Sequence, residues 1–471
     1  MHLFEAAQAI GARAVGTDVA LGIVSSDSRN LPPGCLFVAL KGPRFDGHAY
    51  AQKALENGAA AVMVDADAGL EIAPAMQVDD TRLALGRLAA WQRARMPAKV
   101  AAITGSNGKT TVKEMLAAIL AAAVGEAAVL ATHGNLNNDI GMPLTLLKLT
   151  QEHRYAAIEM GMNHPGEIAY LTELARPDVA LINNALRAHL QGLGSVEAVA
   201  RAKGEIYAGL GDDGIAIINA DDPHADLWRG LAGGHKVLGF GYAEGADVRI
   251  HAEQAADTAR AAYLETPAGR IELKLQVPGI HNLRNAAAAA TAALGLGVPA
   301  DAVARGLAAY AGSKGRLQYQ AGILGATLID DSYNANPDSV AAAIEVLGAR
   351  TGLRILVLGD MGELGDEAAE LHREVGERAR AAGIDRLLCL GEMSLHAVQG
   401  FGAGAMHFER VEELLAEIEC ALEPEVTVLV KGSRFMKMER VVQSFVGGQE
   451  GDTAPLEACG SNETGGQSTC S

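Results

Sequence analysis

Aromatic residues are scarce in this sequence, since Phe, Trp and Tyr make up only 4% of its 471 residues. Ala, Leu, Val and Ile must therefore build its hydrophobic cores. No apolar run reaches the ~20 residues that a helix needs to cross a bilayer, so no membrane partner is expected. Residues 1–10 have no basic region ahead of an apolar stretch, and a secretory signal is not expected either.

Cysteine is also rare, and the few cysteines follow no pattern. An odd, scattered set without paired or metal-ligand spacing predicts reduced thiols and a cytoplasmic location. No Lys/Arg cluster offsets the formal net charge of −18, so nucleic acid is not expected as a partner. The negative charge of a bound nucleotide would have to be neutralised locally by backbone N–H donors, a few cations or a bound metal ion. The cysteines are Cys35, Cys389, Cys420, Cys459 and Cys470.

The length suggests about three domains, and the pattern of the chain divides it accordingly. Residues 1–82 predict a small α/β domain. Strands and helices alternate over 83–312, which predicts a mostly parallel sheet of the phosphate-loop ATPase type, covered on both faces. Beyond a hinge at 312–315, residues 313–446 predict a second open α/β sheet. The Gly-, Ser- and Thr-rich segment 447–471 predicts a disordered tail.

The predicted strands are 59–64, 100–104, 156–159, 179–183, 215–219, 326–330, 354–358, 386–390 and 426–430. The predicted helices are 49–57, 81–95, 112–122, 195–207 and 283–294.

A glycine-containing segment directly after the strand 100–104 carries the strongest local signal, and a helix follows it. Glycines there let backbone N–H groups approach phosphate oxygens, and the helix N-terminus adds a positive dipole end. We expect Lys109 to contact the β- and γ-phosphates of a nucleotide and Thr110 to ligate Mg²⁺. Ile103 replaces the usual first glycine, so the loop is a shorter variant. The alternative is a turn that only caps a helix. The segment reads Gly105-Ser106-Asn107-Gly108-Lys109-Thr110-Thr111.

Glu159 and His189 fall where later predicted strands end. In an open α/β sheet, ligands bind at the carboxyl ends of strands. Glu159, the Thr110 hydroxyl and phosphate oxygens together suit one Mg²⁺ ion, which prefers oxygen ligands. A histidine is less typical of Mg²⁺. Taken alone, His189 is more simply interpreted as a loop histidine with its own hydrogen bonds.

Three further polar positions lie on predicted helices. Lys203 falls near the centre of the helix 195–207, and its residue type alone favours a solvent-facing lysine. Asn282 and Asn285 open another helix and are neighbours on one face. Asn282 could be only an N-cap, or the two amides could read the edge of an adenine. In the last domain, the polar run 330–336 after a strand suggests a site, although turn formation explains much of it.

Together these segments resemble the Mur ligase family over about residues 20–445. The marks shared with the family at large are the phosphate loop, Glu159, His189, Lys203, His281 to Asn285, Gly315-Arg316 and Asp331 with its neighbours. Further segments are typical of the members that add D-alanyl-D-alanine: Ser25 to Arg29, Phe45 to His48, Gly134 to Gly141, Glu159 to Met162 and Asp331 to Pro337.

The resemblance implies a first domain that holds a UDP-sugar, a central ATP-binding domain and a Rossmann-like last domain that brings the dipeptide. It implies two Mg²⁺ ions and a Lys203 carbamylated by CO₂, which turns a cation into a carboxylate. The implied catalytic residues are Lys109, His189 and Lys203, and the implied metal ligands are Thr110, Glu159, His189 and Lys203. Asn282 and Asn285 would contact adenine, Arg316 the phosphates and Asp331 the ribose. The implied substrate-binding residues are Ser28, Arg29, Asn138, Tyr333, Asn334 and Asn336.

The activity implied is that of an ATP-dependent amide ligase acting as a monomer. It would phosphorylate the terminal carboxylate of UDP-N-acetylmuramoyl tripeptide, and the amine of D-alanyl-D-alanine would attack the acyl phosphate. The alternatives are the family's third-residue-adding ligase, a folate polyglutamyl ligase and a non-catalytic nucleotide-binding protein. The first normally carries an Asp-Asn-Pro-Arg element, absent here. The second should lack the domain around residues 25–29, and the third should have lost Glu159 or Lys203.

Overall fold

The computed structural model describes residues 1–43, 45–252 and 262–447. The predicted tail lies outside these ranges apart from Gly447, as do Cys459 and Cys470. Three large β-sheets follow one another along the described residues, each covered by helices, and β4 and β5 form a separate two-stranded sheet. This confirms the predicted α/β class. The exact domain boundaries stay predictions.

The first sheet has five strands in the order β1-β7-β6-β3-β2, of which only β1 is antiparallel to its neighbour. The elements are α1 (Leu3–Ala9), β1 (Arg13–Val15), β2 (Val24–Ser25), β3 (Leu36–Val38), β4 (Lys41–Gly42), β5 (Phe45–Asp46), α2 (Ala51–Glu56), β6 (Ala61–Asp65) and β7 (Ala75–Val78). Helix α3 (Thr81–Ala94) follows, with Asp80 as its N-cap, and joins this sheet to the next. Its Leu85 packs into the hydrophobic core of the first sheet, and its Ala89 packs into a hydrophobic core of the central sheet.

The central sheet has nine strands in the order β16-β15-β14-β13-β12-β11-β8-β10-β9. Its elements are β8 (Lys99–Thr104), α4 (Lys109–Val124), β9 (Val129–Ala131), α5 (Gly141–Leu146), β10 (Tyr155–Glu159), α6 (Glu167–Ala175), β11 (Val179–Ile182), α7 (Leu190–Leu193), α8 (Val196–Gly204), β12 (Ile215–Asn219), α9 (Ala225–Leu231), β13 (Lys236–Gly241), β14 (Val248–Ala252), β15 (Ala262–Thr266), β16 (Gly269–Leu273), α10 (Ile280–Gly295) and α11 (Ala300–Ala309).

The expected alternation of strands and helices is wrong for β13 to β16, because β14 follows β13 and β16 follows β15 with no helix between them in the described residues. Strand β15 is antiparallel to both of its neighbours, β14 and β16. The physical reason is a one-sided burial pattern. In β14, Val248 and Ile250 are buried whereas Arg249 and His251 are partly exposed, which suits an antiparallel edge with one solvated face.

Both faces of the parallel part are covered, as predicted. Along β8, Ala101 and Ile103 join one core and Val100 and Ala102 the other. Ala286 to Ala290 of helix α10 are completely buried. With few aromatics available, these small side chains bring α10 close to the sheet and place its first turn beside the end of β8.

The last sheet has six strands in the order β17-β18-β22-β19-β20-β21, all parallel except β17. Its elements are β17 (Gln318–Ala321), β18 (Thr327–Asp331), α12 (Pro337–Gly348), β19 (Leu353–Gly359), α13 (Ala368–Ala381), β20 (Arg386–Leu390), α14 (Leu395–Phe401), β21 (Ala405–Phe408), α15 (Val411–Glu419), β22 (Val426–Lys431) and α16 (Glu439–Phe445). No helix of the described ranges is long and apolar enough to span a membrane.

Candidate active site

A cavity of about 1540 Å³ lies between the central and last sheets and extends to the start of α3. The carboxyl ends of β8, β10, β11 and β18 open into it, as expected for ligand sites of open parallel sheets. Most of the predicted site residues line this cavity: Ser106, Asn107, Gly108, Lys109, Thr110, Thr111, Asn138, Glu159, His189, Asn282, Asn285, Arg316, Asp331, Tyr333, Asn334 and Asn336.

The loop between β8 and α4 has the conformation that a phosphate-binding turn requires. Gly108 has a φ of +79°, and a Cβ there would lie 2.5 Å from Oδ1 of Asn285 and 2.6 Å from Nδ2 of Asn183. Only glycine fits that position. Lys109 curls back, and its Nζ donates to the carbonyl oxygen of Gly105 at 2.7 Å. Burial lowers the pKa of Lys109, whereas the nearby carboxylate of Glu159 raises it.

Two asparagines that the sequence analysis missed hold this loop. Nδ2 of Asn183 donates to the Asn107 carbonyl at 2.9 Å and to Oδ1 of Asn285 at 3.0 Å. Oδ1 of Asn184 accepts from the Asn107 backbone N–H at 2.9 Å. The available signal was their position directly after β11, at the same sheet edge as Glu159.

Glu159 and Thr110 meet at the base of the cavity. The Thr110 hydroxyl donates to Oε2 of Glu159 at 2.8 Å and accepts from Nη2 of Arg316 at 2.8 Å. Nδ2 of Asn137 donates to the other Glu159 oxygen at 2.8 Å. Glu159 is only 2% exposed. A buried carboxylate beside a hydroxyl and a phosphate loop is a donor set that suits Mg²⁺.

His189 faces a residue of the last domain. Its Nδ1 lies 2.7 Å from a carboxylate oxygen of Glu363, although the buried ring nitrogen makes no aligned hydrogen bond. Both residues have positive φ angles, 59° and 62°, which is strained for non-glycine residues. Burial lowers the pKa of His189, and Glu363 acts in the opposite direction.

The expectation of a solvent-facing Lys203 is wrong. Lys203 is 1% exposed, because α8 buries it on the same face as Val199 and Ala200. Among the described residues, none forms a hydrogen bond or ion pair with its amine. Burial, and secondarily the charge of Lys109, lowers its pKa well below the usual range. A lowered pKa favours the uncharged amine, which is the form that reacts with CO₂, so this site fits a carbamate.

Asn282 and Asn285 lie in the first turns of α10, next to the phosphate loop. The alternative of Asn282 as the N-cap is wrong, because Gly279 occupies that position and the Asn282 amide donates to the Pro278 carbonyl at 2.6 Å. The two amides are hydrogen bonded to each other at 3.2 Å.

The last domain contributes a second wall. Asp331 pairs with buried Lys431 at 2.5 Å, and the guanidinium of Arg316 lies 4.2 Å from the centre of the Tyr333 ring. Asn336 caps α12, and its amide pairs with that of Asn107 in the phosphate loop at 2.8 Å. Within the described ranges, the side chain of Asn334 accepts one hydrogen bond, from the backbone N–H of Ala335, and its backbone carbonyl accepts from Lys431.

Two predicted substrate residues lie elsewhere. Ser28 and Arg29 are not part of the cavity wall. Arg29 is exposed and pairs with Asp27 at 2.9 Å. They belong to the first sheet's own surface, whereas Asn138 lies in the cavity and accepts from the Gly141 backbone N–H at 2.8 Å at the start of α5.

This fold and site define an ATP-dependent ligase, and the chain belongs to the Mur ligase family. It matches the Mur ligase family catalytic domain over residues 21–93, the Mur ligase middle domain over 103–293 and the Mur ligase glutamate ligase domain over 315–434.

One relative of known sequence and two solved structures within this family are similar to the chain over most of its length. The chain is 46% identical over 433 residues to UDP-N-acetylmuramoyl-tripeptide--D-alanyl-D-alanine ligase of Escherichia coli K12, covering 91% of this chain and 95% of that one. It superposes on MurF from Acinetobacter baumannii with a TM-score of 0.85 at 36% identity, covering 94% and 97% of the two chains. MurF ligase from Thermotoga maritima, solved with ADP, gives 0.78 at 29% identity, with 89% and 96% covered.

Proposed function

We propose that this chain joins D-alanyl-D-alanine to UDP-N-acetylmuramoyl tripeptide at the expense of ATP. The product would be the UDP-linked pentapeptide used in peptidoglycan synthesis. The observation that carries this proposal is the meeting of the phosphate loop and the Thr110–Glu159 pair with the Asp331 to Asn336 segment across one cavity. The identity to the Escherichia coli ligase over nearly its whole length supports the same assignment.

The reaction divides into two balanced steps. An oxygen of the tripeptide's terminal carboxylate attacks the γ-phosphorus of ATP, the bond to the leaving ADP oxygen breaks, and an acyl phosphate forms. The dipeptide nitrogen then attacks the acyl carbon, the new C–N bond forms, phosphate leaves and the amine proton passes to solvent. The first step is needed because a carboxylate oxygen is a poor leaving group.

The protein's own side chains and backbone groups would mainly orient ATP and neutralise the negative charge of its phosphates. The loop N–H groups and Lys109 would bind the phosphates, and Arg316 would add a second cation beside Thr110. Asn282 and Asn285 would contact adenine, and Asp331 the ribose. Water must be excluded from the acyl phosphate, and the direct contacts between Asn107 and Asn336 and between His189 and Glu363 hold the two domains together over this region.

Mg²⁺ fits the donor set described above and would neutralise charge on the transferring phosphoryl group. Thr110 and Glu159 would hold one ion. His189 and a carbamylated Lys203 would hold a second. Burial lowers the pKa of Lys203, which favours the uncharged amine that attacks CO₂.

We further propose a monomeric cytoplasmic enzyme. Cys35 and Cys389 are buried thiols that form no disulfide, which suits a reducing compartment.

Phosphate release from ATP is the test. Purified protein is mixed with UDP-muramoyl tripeptide and Mg²⁺, with and without D-alanyl-D-alanine. Release that requires every component, with a pentapeptide product by mass, is the expected result. Release with a single amino acid but not with the dipeptide would assign the chain to another step. No release with any amine would refute the ligase proposal. A ¹³C-bicarbonate carbamate resonance, present in the wild type and absent in Lys203→Ala, tests the modification.

A further inference from the structure

The segment between helix α11 and strand β17, which includes the predicted hinge at 312–315, contains a tight turn. The backbone N–H of Arg316 donates to the Ser313 carbonyl at 3.1 Å, which closes a turn over residues 313–316. Gly315, the third residue of this turn, has a φ of +73°, a value that favours glycine at that position. The turn therefore has a definite shape, and Arg316 is its last residue.

Arg316 brings the turn into contact with the nucleotide site. Its Nη2 donates to the Thr110 hydroxyl at 2.8 Å. Arg316 lines the cavity, whereas Tyr310 and Ser313 do not. An arginine side chain is long and has many rotamers, so the position of its guanidinium depends on how its backbone is held.

Tyr310 belongs to the central domain and is fixed there. It is the C-cap of α11, is only 7% exposed and packs into a hydrophobic core of the central sheet. Helix α11 packs directly on α4, because a Cβ on Gly306 would lie only 2.3 Å from Cα of Ile119. Through α11, Tyr310 is thus held against the helix that begins at the phosphate loop.

The hydroxyl group of Tyr310 connects this helix to the turn. It is hydrogen bonded to Oγ of Ser313 at 2.9 Å. Burial raises the pKa of Tyr310, and hydrogen bonds with Ser313 and with Thr111, in the first turn of α4, oppose that effect. One phenol oxygen therefore lies between the phosphate-loop helix and the turn.

The bond between Tyr310 and Ser313 anchors the turn to the central domain. Among the described residues, it is the only side-chain hydrogen bond made by residues 311–315. On the other side the last domain holds the turn, since the Gly315 carbonyl accepts from the Tyr333 N–H at 3.1 Å. Loss of the phenol hydroxyl would leave residues 311–315 without a side-chain hydrogen bond to the central domain.

We propose that Tyr310 and Ser313 are positioning residues of the nucleotide site. Their hydrogen bond fixes the turn 313–316 and thereby places the Arg316 guanidinium beside Thr110, where the phosphates of a nucleoside triphosphate bind. Neither Tyr310 nor Ser313 touches the nucleotide. This inference rests on the proposed function and deepens it, since it identifies what holds one of the phosphate contacts in place.

The affinity for nucleotide distinguishes this role from that of a purely structural hydrogen bond. Binding of a non-hydrolysable ATP analogue with Mg²⁺ is measured by titration calorimetry on the full chain. Tyr310→Phe, which removes only the hydroxyl, should raise the Kd of the analogue about fivefold, the scale of one hydrogen bond. Tyr263→Phe, at a tyrosine of β15 outside the cavity wall, is the matched control and should leave the Kd unchanged. A lower melting temperature of Tyr310→Phe with a Kd within twofold of the wild type would overturn the proposal.

Double variants show whether Tyr310 acts through Ser313 and Arg316. Ser313→Ala breaks the same bond from the other side, so combining it with Tyr310→Phe should weaken binding no more than either change alone. Arg316→Ala should raise the Kd about tenfold or more, and adding Tyr310→Phe to it should change the Kd no further. A further fivefold loss in that background would contradict the proposal, because Tyr310 would then act without Arg316.

The outcomes separate this inference from the proposed function. A wild type that binds the analogue and responds to the variants as described, but forms no pentapeptide, would support the positioning role and refute the ligase assignment. An active wild type whose Kd is unchanged by Tyr310→Phe and by Ser313→Ala would overturn the positioning role alone. A wild type that binds no nucleotide would overturn both. If Tyr310→Phe does not fold, Ser313→Ala removes the same bond and decides.

Discussion

Nη2 of Arg187 lies 2.8 Å from Oδ1 of Asp338, on the other side of the boundary between the central and last domains. Nη1 of the same guanidinium lies 2.7 Å from Glu374, so one side chain from the loop after β11 joins helices α12 and α13. The backbone N–H of Arg187 also donates to Asp338 at 2.8 Å. These two carboxylates, Asp338 first, raise the pKa of Arg187. The ion pairs link the last domain to the central domain beside the cavity.

Removing the Arg187 side chain should widen the cleft between the central and last domains. We expect Arg187→Ala to lose about 1 kcal/mol of the free energy that favours the closed arrangement, since the charges are partly exposed. Spin labels on the two domains would then report a broader and longer distance distribution. Arg201→Ala, which breaks an exposed pair with Glu197 inside the central domain, should leave that distribution unchanged. An unaltered distribution in Arg187→Ala would show that the bridge does not hold the domains.

The buried pair of Asp331 and Lys431 should be sensitive to the loss of either partner alone. Burial raises the pKa of Asp331, and Lys431 opposes that effect. Lys431→Met leaves a buried carboxylate without its cation and should reduce the free energy of unfolding by about 3–5 kcal/mol at neutral pH. Adding Asp331→Asn should recover most of the loss. Urea denaturation of both variants measures it, and a double variant as unstable as the single one would contradict this account.

Helices α13 and α14 touch at a glycine that should not tolerate a methyl group. A Cβ on Gly376 would lie 2.0 Å from the carbonyl oxygen of Ala397. Gly376→Ala should therefore lower the stability of the last domain by about 1–3 kcal/mol in thermal unfolding. The control is Gly230→Ala in helix α9, where a Cβ would meet nothing within 4 Å. That change should be neutral or stabilising by up to about 1 kcal/mol. Equal effects of the two variants would argue against the packing described here.

His281 should make the protein less stable in mild acid. Burial, and the charges of Lys431 and Arg284, lower its pKa to about 4 in the folded state. As the pH falls below the ordinary value of ~6.5, the unfolded chain binds a proton that the folded chain does not. The free energy of unfolding should then fall by up to about 3 kcal/mol between pH 6.5 and pH 4 and change no further below that.

Urea denaturation at several pH values measures this slope. His281→Gln should flatten it, whereas His133→Gln, at an exposed histidine, should not. An identical slope in His281→Gln and the wild type would exclude His281 as its source.

The sequence predicted the parts of the site that follow local rules. The phosphate loop, Glu159 and Asn285 each sit where a strand ends or a helix begins, and the parallel sheet brings such positions to one edge. The confirmed strands β12 and β20 have the predicted bounds for the same reason, because short apolar runs between turn residues define them.

The remaining features depend on how separate elements meet, which local patterns do not encode. Lys203 is buried because of what packs over α8, although its own helix pattern favours exposure. The partners of Arg187, and the contact of His189 with Glu363, come from a different domain and lie more than 150 residues away along the chain. No periodicity within one segment could predict such pairs.

The paired amides of Asn107 and Asn336 have a consequence for the rate of turnover. One amide belongs to the predicted phosphate-binding loop of the central domain, and the other caps helix α12 of the last domain. Separation of the two domains therefore requires the loss of a contact that this loop itself makes. Under the proposed function, we expect the departure of spent nucleotide to be coupled to the opening of this cleft, so a slow opening would limit how soon the next substrates bind.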